Sequence, residues 1–304
     1  MLKQGNCIKR ITAVSTGSLQ ADTGESFLIK ALYVMPDTGN DYLTLKVDRK
    51  TVGVYRIAGK AGNHLGFIQQ DFVHKNLMEF MIAKDINCSI PVAEGQSFTV
   101  TTPGTSPDVV IIYDVYDGGD IRADMANGTD SKEYMFMQYM ASSGTVDSTE
   151  TVELDTSLSP AEFPDFPCGK AVPANTTIEI LGLVGSPVGN GTSESNKTYS
   201  TFVKMVKERE VLFDEDRNGI PFFWHSGIFG GTNYYADFSL IGPCVNVDMN
   251  TLTGSLGDPM LFAPTLSFLS GEELLIYMSF IQLSSSAVAG SAIDLAAIMK
   301  VTRG

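Results

Sequence analysis

One phrase recurs along this chain, and the order of its recurrence constrains the fold more than any bulk property. A glycine, then an acid or amide, then apolar residues two apart, stands at Gly24-Glu25-Ser26-Phe27-Leu28-Ile29, at Gly95-Gln96-Ser97-Phe98-Thr99-Val100 and at Gly271-Glu272-Glu273-Leu274-Leu275-Ile276. Asn175-Thr176-Thr177-Ile178-Glu179-Ile180 is a weaker copy, with asparagine in the glycine's place. Physically the phrase is a turn whose first residue tolerates positive φ, feeding a strand with one apolar face. In the first half it opens a strand ending near Val34, followed by a Pro36 loop, a hairpin over 42–57, an irregular insert, a strand near 77–82, the phrase at 95–100 and an apolar strand at 109–113. In the second half it opens a strand ending near Val184, followed by a Pro187 loop, a strand pair over 199–213, an aromatic insert at 220–235, a strand near 238–241 and the phrase at 271–276. Phe27 and Ile178 are 151 positions apart and Phe98 and Leu274 are 176 apart, so the second copy carries 25 more residues of loop. Such loops are cheap, since each doubling of length costs about 0.6 kcal/mol. Two all-β halves of separate origin can share a rhythm; the matched order and spacing favour duplication.

The local patterns agree with strands. Leu43, Leu45 and Val47 alternate before the charged turn Asp48-Arg49-Lys50, and 109–113 is a short apolar run, which predicts a central strand covered on both faces. Residues 133–140, rich in aromatics, predict a strand that opens the second half. Helical spacing is confined to 66–75, through Phe67, Ile68 and Phe72, while 287–299 reads as helix or strand. A unit of about 150 residues is too long for a propeller blade or a solenoid repeat. Eight or so strands with uneven loops fit a jelly roll. The expectation is therefore an all-β chain of two tandem eight-stranded jelly-roll barrels with short helices in loops, one over 1–130 and the other over 131–304.

Composition narrows the function. A net charge of -14 without a basic run argues against direct nucleic-acid binding, and 43% hydrophobic with 18% charged residues argues against disorder. No run approaches the roughly 18 apolar residues of a membrane span, and the first ten residues carry no apolar signal core, so synthesis in a reducing cytoplasm is expected. Cys7, Cys88, Cys168 and Cys244 lie far apart, as buried free thiols do.

Chemistry-bearing motifs are sparse. His64, His74 and His225 have no metal-helix spacing, and there is no nucleophile elbow, P-loop or dinucleotide fingerprint, so no enzyme is expected. Asp214-Glu215-Asp216-Arg217-Asn218-Gly219 opens like a calcium loop, with alternate oxygen side chains and a glycine at the bend. Its twelfth position is His225 rather than Glu, which excludes an EF-hand. Asp214, Asp216 and Asn218 remain as candidate Ca2+ ligands, set against the commoner reading of a polar turn after a strand. The carboxylates of Asp114, Asp117 and Asp120 are expected to be solvated. Trp224 with Phe222, Phe223, Tyr234 and Tyr235 would suit sugar stacking, although aromatics between strands more often fill a core or a subunit interface.

The duplicated layout, carried by the phrases at 24–29 and 175–180 and at 95–100 and 271–276, resembles the double jelly-roll major capsid proteins of tailless icosahedral viruses with an internal membrane, a lineage that includes the adenovirus hexon. The likeness covers nearly the whole chain and is one of layout, without a diagnostic motif. The length sits near the small end of that family, as in a compact bacteriophage version such as that of a lipid-containing Flavobacterium phage. The resemblance implies a homotrimer of pseudo-hexagonal outline, a virion location after synthesis in the host cytoplasm, and shell contacts with neighbouring capsomers. It further implies partners among other virion proteins such as a penton or spike, and an internal membrane surface that Lys3, Lys9 and Arg10 would face. The alternative is a β-sandwich carbohydrate-binding or fibre/receptor-recognition module using Trp224 and its neighbours.

Overall fold

The computed structural model describes residues 1–12, 16–35, 41–57, 77–101, 108–143, 145–146, 151–157, 166–185, 198–213, 220–221, 223–224, 228–229, 233–234, 238–239, 260–282, 288–289 and 295–304. The chain is nearly all β. Its first half holds β1 (Leu2–Ile11), β2 (Thr16–Gln20), β3 (Glu25–Met35), β4 (Asp41–Val47), β5 (Lys50–Ile57), helix α1 (Leu77–Ala83), β6 (Ile90–Val92), β7 (Ser97–Thr101) and β8 (Asp108–Asp117). The second half begins with β9 (Glu133–Ala141), β10 (Thr145–Val146), β11 (Thr151–Glu153), β12 (Thr156–Ser157), β13 (Thr176–Gly185), β14 (Thr198–Lys207) and β15 (Glu210–Phe213). Five two-residue strands follow, β16 (Ile220–Pro221), β17 (Phe223–Trp224), β18 (Ile228–Phe229), β19 (Asn233–Tyr234) and β20 (Phe238–Ser239). The chain then closes with β21 (Met260–Phe268), β22 (Leu274–Gln282), β23 (Val288–Ala289) and β24 (Leu295–Arg303).

Antiparallel pairing gathers the first eight strands into two sheets, ordered β1-β8-β3-β6 and β2-β7-β4-β5. The second half repeats both orders, as β9-β24-β13-β21 with β12 added outside β9, and as β11-β22-β14-β15 with β16 pairing β14. The chain divides into two compact units, with β9 up to Met137 and β24 from Lys300 counted with the first.

Each core follows from strand alternation. In β7 Phe98 and Val100 are buried while Ser97, Thr99 and Thr101 are half-exposed; Leu43, Leu45 and Val47 of β4 lie opposite, with Leu45 paired to Val100 and Val47 to Phe98. In the second half Met205 pairs with Ile276 and Lys207 with Leu274, the same register at offsets of 160 and 176. The bulge between Leu45 and Lys46 in the first hairpin recurs between Met205 and Val206 in the second. Phe27 pairs with Val92 as Ile178 pairs with Phe268. The two halves therefore share registers as well as strand order. Of the 25 extra residues, 9 fall between the third and fourth strands of the repeat and 16 before the seventh.

Two sequence expectations are corrected and one left open is decided. Residues 77–82 lie in α1 rather than a strand: Met78, Phe80 and Met81 are buried while Glu79 and Ile82 are exposed, a helical spacing. The run at 109–113 is central but fully covered on one face only, with Val109 and Ile111 buried and Val110 and Ile112 half-exposed. The ambiguous 287–299 stretch contributes β23 and most of β24. The expected helix at 66–75 lies outside the described residues.

Candidate functional site

In both halves the hairpin turn is clasped to the recurring glycine turn by the same bonds. Asp48 and Glu208 lead the two hairpin turns at φ 52° and 54°. The Asp48 N–H donates to Ser97 O and its carboxylate accepts the Ser97 N–H at 3.0 Å; the Glu208 N–H donates to Glu273 O and its carboxylate accepts the Glu273 N–H at 2.8 Å. The Ala21 N–H donates to Gln96 O and the Gly95 N–H to Ala21 O, as the Val172 N–H does to Glu272 O and the Gly271 N–H to Val172 O. The Gln96 side-chain oxygen accepts the Ala93 N–H at 3.0 Å where the Glu272 carboxylate accepts the Leu269 N–H at 2.8 Å. Gly95 and Gly271 hold φ of 84° and 89°, and Gly24 and Asn175 hold 81° and 56°, a region open to glycine and tolerated by asparagine.

A cation closes each clasp. Lys50 Nζ donates to Gly128 O at 3.0 Å and Thr129 O at 3.1 Å and sits 4.7 Å from the centre of the Tyr134 ring, which Arg303 also approaches at 5.2 Å. Lys207 Nζ pairs with Glu272 at 2.9 Å, donates to Ser267 O and lies 4.8 Å from the Phe268 ring. Phe268 in turn meets Phe166 edge-on at 5.0 Å. The Leu269 N–H and then Lys207 hold the Glu272 carboxyl below its ordinary range. These carboxylates and cations are committed to backbone and to one another. The arrangement fixes the ends of paired strands.

The carboxylates around 114–120 are divided. Asp114, expected in solvent, is 8% exposed. It accepts the Asn6 N–H at 2.8 Å and pairs with Lys30 at 2.9 Å, and Lys30 donates to the Asn6 side-chain oxygen. Asp114 thus ties the irregular part of β1, where Asn6 has φ 53°, to Lys30, the bulged residue between Ile29 and Ala31 of β3. A buried charge demands such partners, and no local sequence pattern announced them. Lys3 Nζ donates to Gly24 O and lies 3.5 Å from Asp117, and Arg10 pairs with Asp108 at 2.6 Å. Asp117 itself stays half-exposed.

The candidate calcium ligands Asp214, Asp216 and Asn218 lie outside the described residues, as do His64, His74, His225 and Cys244. Trp224 is on β17, paired with Phe238 of β20. Among the described residues no group of three or more His, Cys, Asp or Glu side chains is placed to hold a metal ion. Cys168 is buried and Cys7 and Cys88 are half-buried; burial pushes the Cys88 thiol up to about 12. No described helix is long and apolar enough to cross a membrane.

The element that sequence reasoning did not read as a strand is β1, although its cations Lys3, Lys9 and Arg10 drew notice. It is an edge strand of ten residues, almost wholly exposed, with Ile8 at 69% and Leu2 at 50%. The one available signal was its lack of any acidic residue, the first being Asp22. No family model matches the chain, and no curated protein matches it in sequence.

Proposed function

We propose that the chain is a structural coat protein made of two jelly-roll barrels, trimerising into pseudo-hexagonal capsomers that tile an icosahedral shell over an internal lipid membrane. The observation that carries this reading is the interleaved strand order. Sheets ordered 1-8-3-6 and 2-7-4-5 are what eight strands give when two Greek keys fold over each other, and both orders recur in the second half. Two similar barrels per chain let three chains approximate sixfold symmetry, which suits close tiling. The clasped turns support the same reading, because a shell subunit needs rigid strand ends rather than a mobile cleft. Its partners would be further copies first, then penton or spike proteins and the membrane surface.

Electron microscopy of the purified protein, with light scattering, tests the proposal. Threefold particles of three times the 32.8 kDa chain mass are expected. A protein that stays monomeric across concentrations and instead binds a glycan array through Trp224 would replace the coat reading with the carbohydrate-binding one.

A further inference from the structure

We infer that β1 is a docking strand: its outer edge, with exposed Ile8 and Lys9, seats the acidic surface of a second copy of this chain. The inference rests on the assembly reading above and names the surface that assembly would use.

Three observations carry it. The first is an asymmetry between the repeated halves. In the sheet β9-β24-β13-β21 the edge strand β9 is covered by β12, through Thr156 opposite Ala141 and Ser157 opposite Met140. In the matching sheet β1-β8-β3-β6 no strand among the described residues covers β1. The neighbouring position differs in the same sense: Lys30 is half-exposed, whereas its counterpart 151 positions on is the buried Leu181. Among the described residues, the edge that is covered in one half is open in the other.

The second is the form of the edge. Bare edges invite unwanted pairing and are commonly blunted by bulges and charges. Here the irregularities fall between Leu2 and Cys7, while Cys7 to Ile11 pair without a break against Tyr113 to Val109. That regular stretch offers an unbroken edge, and it carries Ile8, the most exposed large apolar side chain after Met1 among the described residues. Beside Ile8 lie the half-exposed Ile112, its register partner, and Val110, rimmed by the Arg10–Asp108 pair, an apolar centre with a polar border.

The third is charge. β1 carries Lys3, Lys9 and Arg10 and no acid, in a chain of net -14. Pairing two β1 edges about a twofold axis would set like charges together, which disfavours it. A contact between β1 and a different, acidic surface is heterologous, and such contacts close into rings when the rotation allows. Anionic lipid is the weaker occupant, because a lipid anchor takes four or more cations and β1 carries three, two of them already paired with Asp117 and Asp108, which leaves Lys9 as the charge a partner would meet.

The test compares the wild type with Ile8→Glu/Lys9→Glu by light scattering over a concentration series, at low salt and at about 0.5 M salt. The double variant should need at least about tenfold more protein to associate while melting at an unchanged temperature, and the wild type should associate more weakly in high salt. If the double variant melts early, Lys9→Glu alone and the wild-type salt series decide the matter. Unchanged assembly of the folded variants, or wild-type association indifferent to salt, overturns the inference and leaves the coat reading standing. A wild-type oligomer other than a trimer that Ile8→Glu/Lys9→Glu dissociates keeps the inference and sinks the coat reading; a monomeric wild type sinks both. Flotation of the wild type on phosphatidylglycerol vesicles, lost in Lys9→Glu without change in oligomeric mass, would reassign the strand to lipid.

Discussion

At the scale of single residues, the paired turns let one half predict the behaviour of the other. Gln96 and Glu272 accept equivalent backbone N–H groups, but only Glu272 titrates. Its folded carboxyl is held below the ordinary value of about 4.3, so its contribution is present above that pH and is lost as pH falls through the lower folded value. Glu272→Gln keeps the acceptor oxygen and removes the titration. Urea unfolding between about pH 3 and pH 6 should therefore show a smaller acid loss of stability in the variant than in the wild type. Gly95→Ala and Gly271→Ala meet open space, so the cost is backbone strain alone, about 1–2 kcal/mol each by denaturant titration. Asn175 at the position of Gly24 shows which replacement such a turn accepts, and Gly24→Asn should cost less than Gly24→Val. Asp114→Ala removes the partner of Lys30 and the acceptor of Asn6; with Lys30 still partly hydrated, about 2–3 kcal/mol is expected in the same measurement.

Among elements, legibility tracked the hydrophobic period. The hairpin of β4 and β5 and the strands after each glycine phrase were readable because alternate side chains enter a core. Leu45 and Met205 occupy matching positions, both fully buried, and truncating either to Ala should cost about 2–5 kcal/mol in chemical unfolding. If one substitution cost nothing while the other was severe, the equivalence of the two cores would be wrong. Short elements were not readable. The seven residues of α1 span barely two turns, too few to separate helical from strand spacing, and β6 has only three residues. β1 was invisible for another reason: a strand exposed on both faces has no apolar period to detect.

For the whole molecule, the repeated sheet order is what turns a list of strands into a reading of function. The homotrimeric shell subunit proposed above is checked by the mass in solution. The candidate calcium loop follows a strand, as the hairpin of β14 and β15 ends at Phe213 just before Asp214, and calcium titration by calorimetry, with an Asp214→Ala/Asp216→Ala control, should separate an ion site from a polar turn. The amino-acid sequence by itself determined the turns, the strand faces and the spacing of the repeat, because each depends on local sterics and on a period of two. Which strands became neighbours, that Asp114 would be buried with Lys30, and that β12 would cover the β9 edge while no described strand covers β1 were decided only in the tertiary structure. Those outcomes depend on contacts between residues up to more than a hundred positions apart, and no local pattern encodes them.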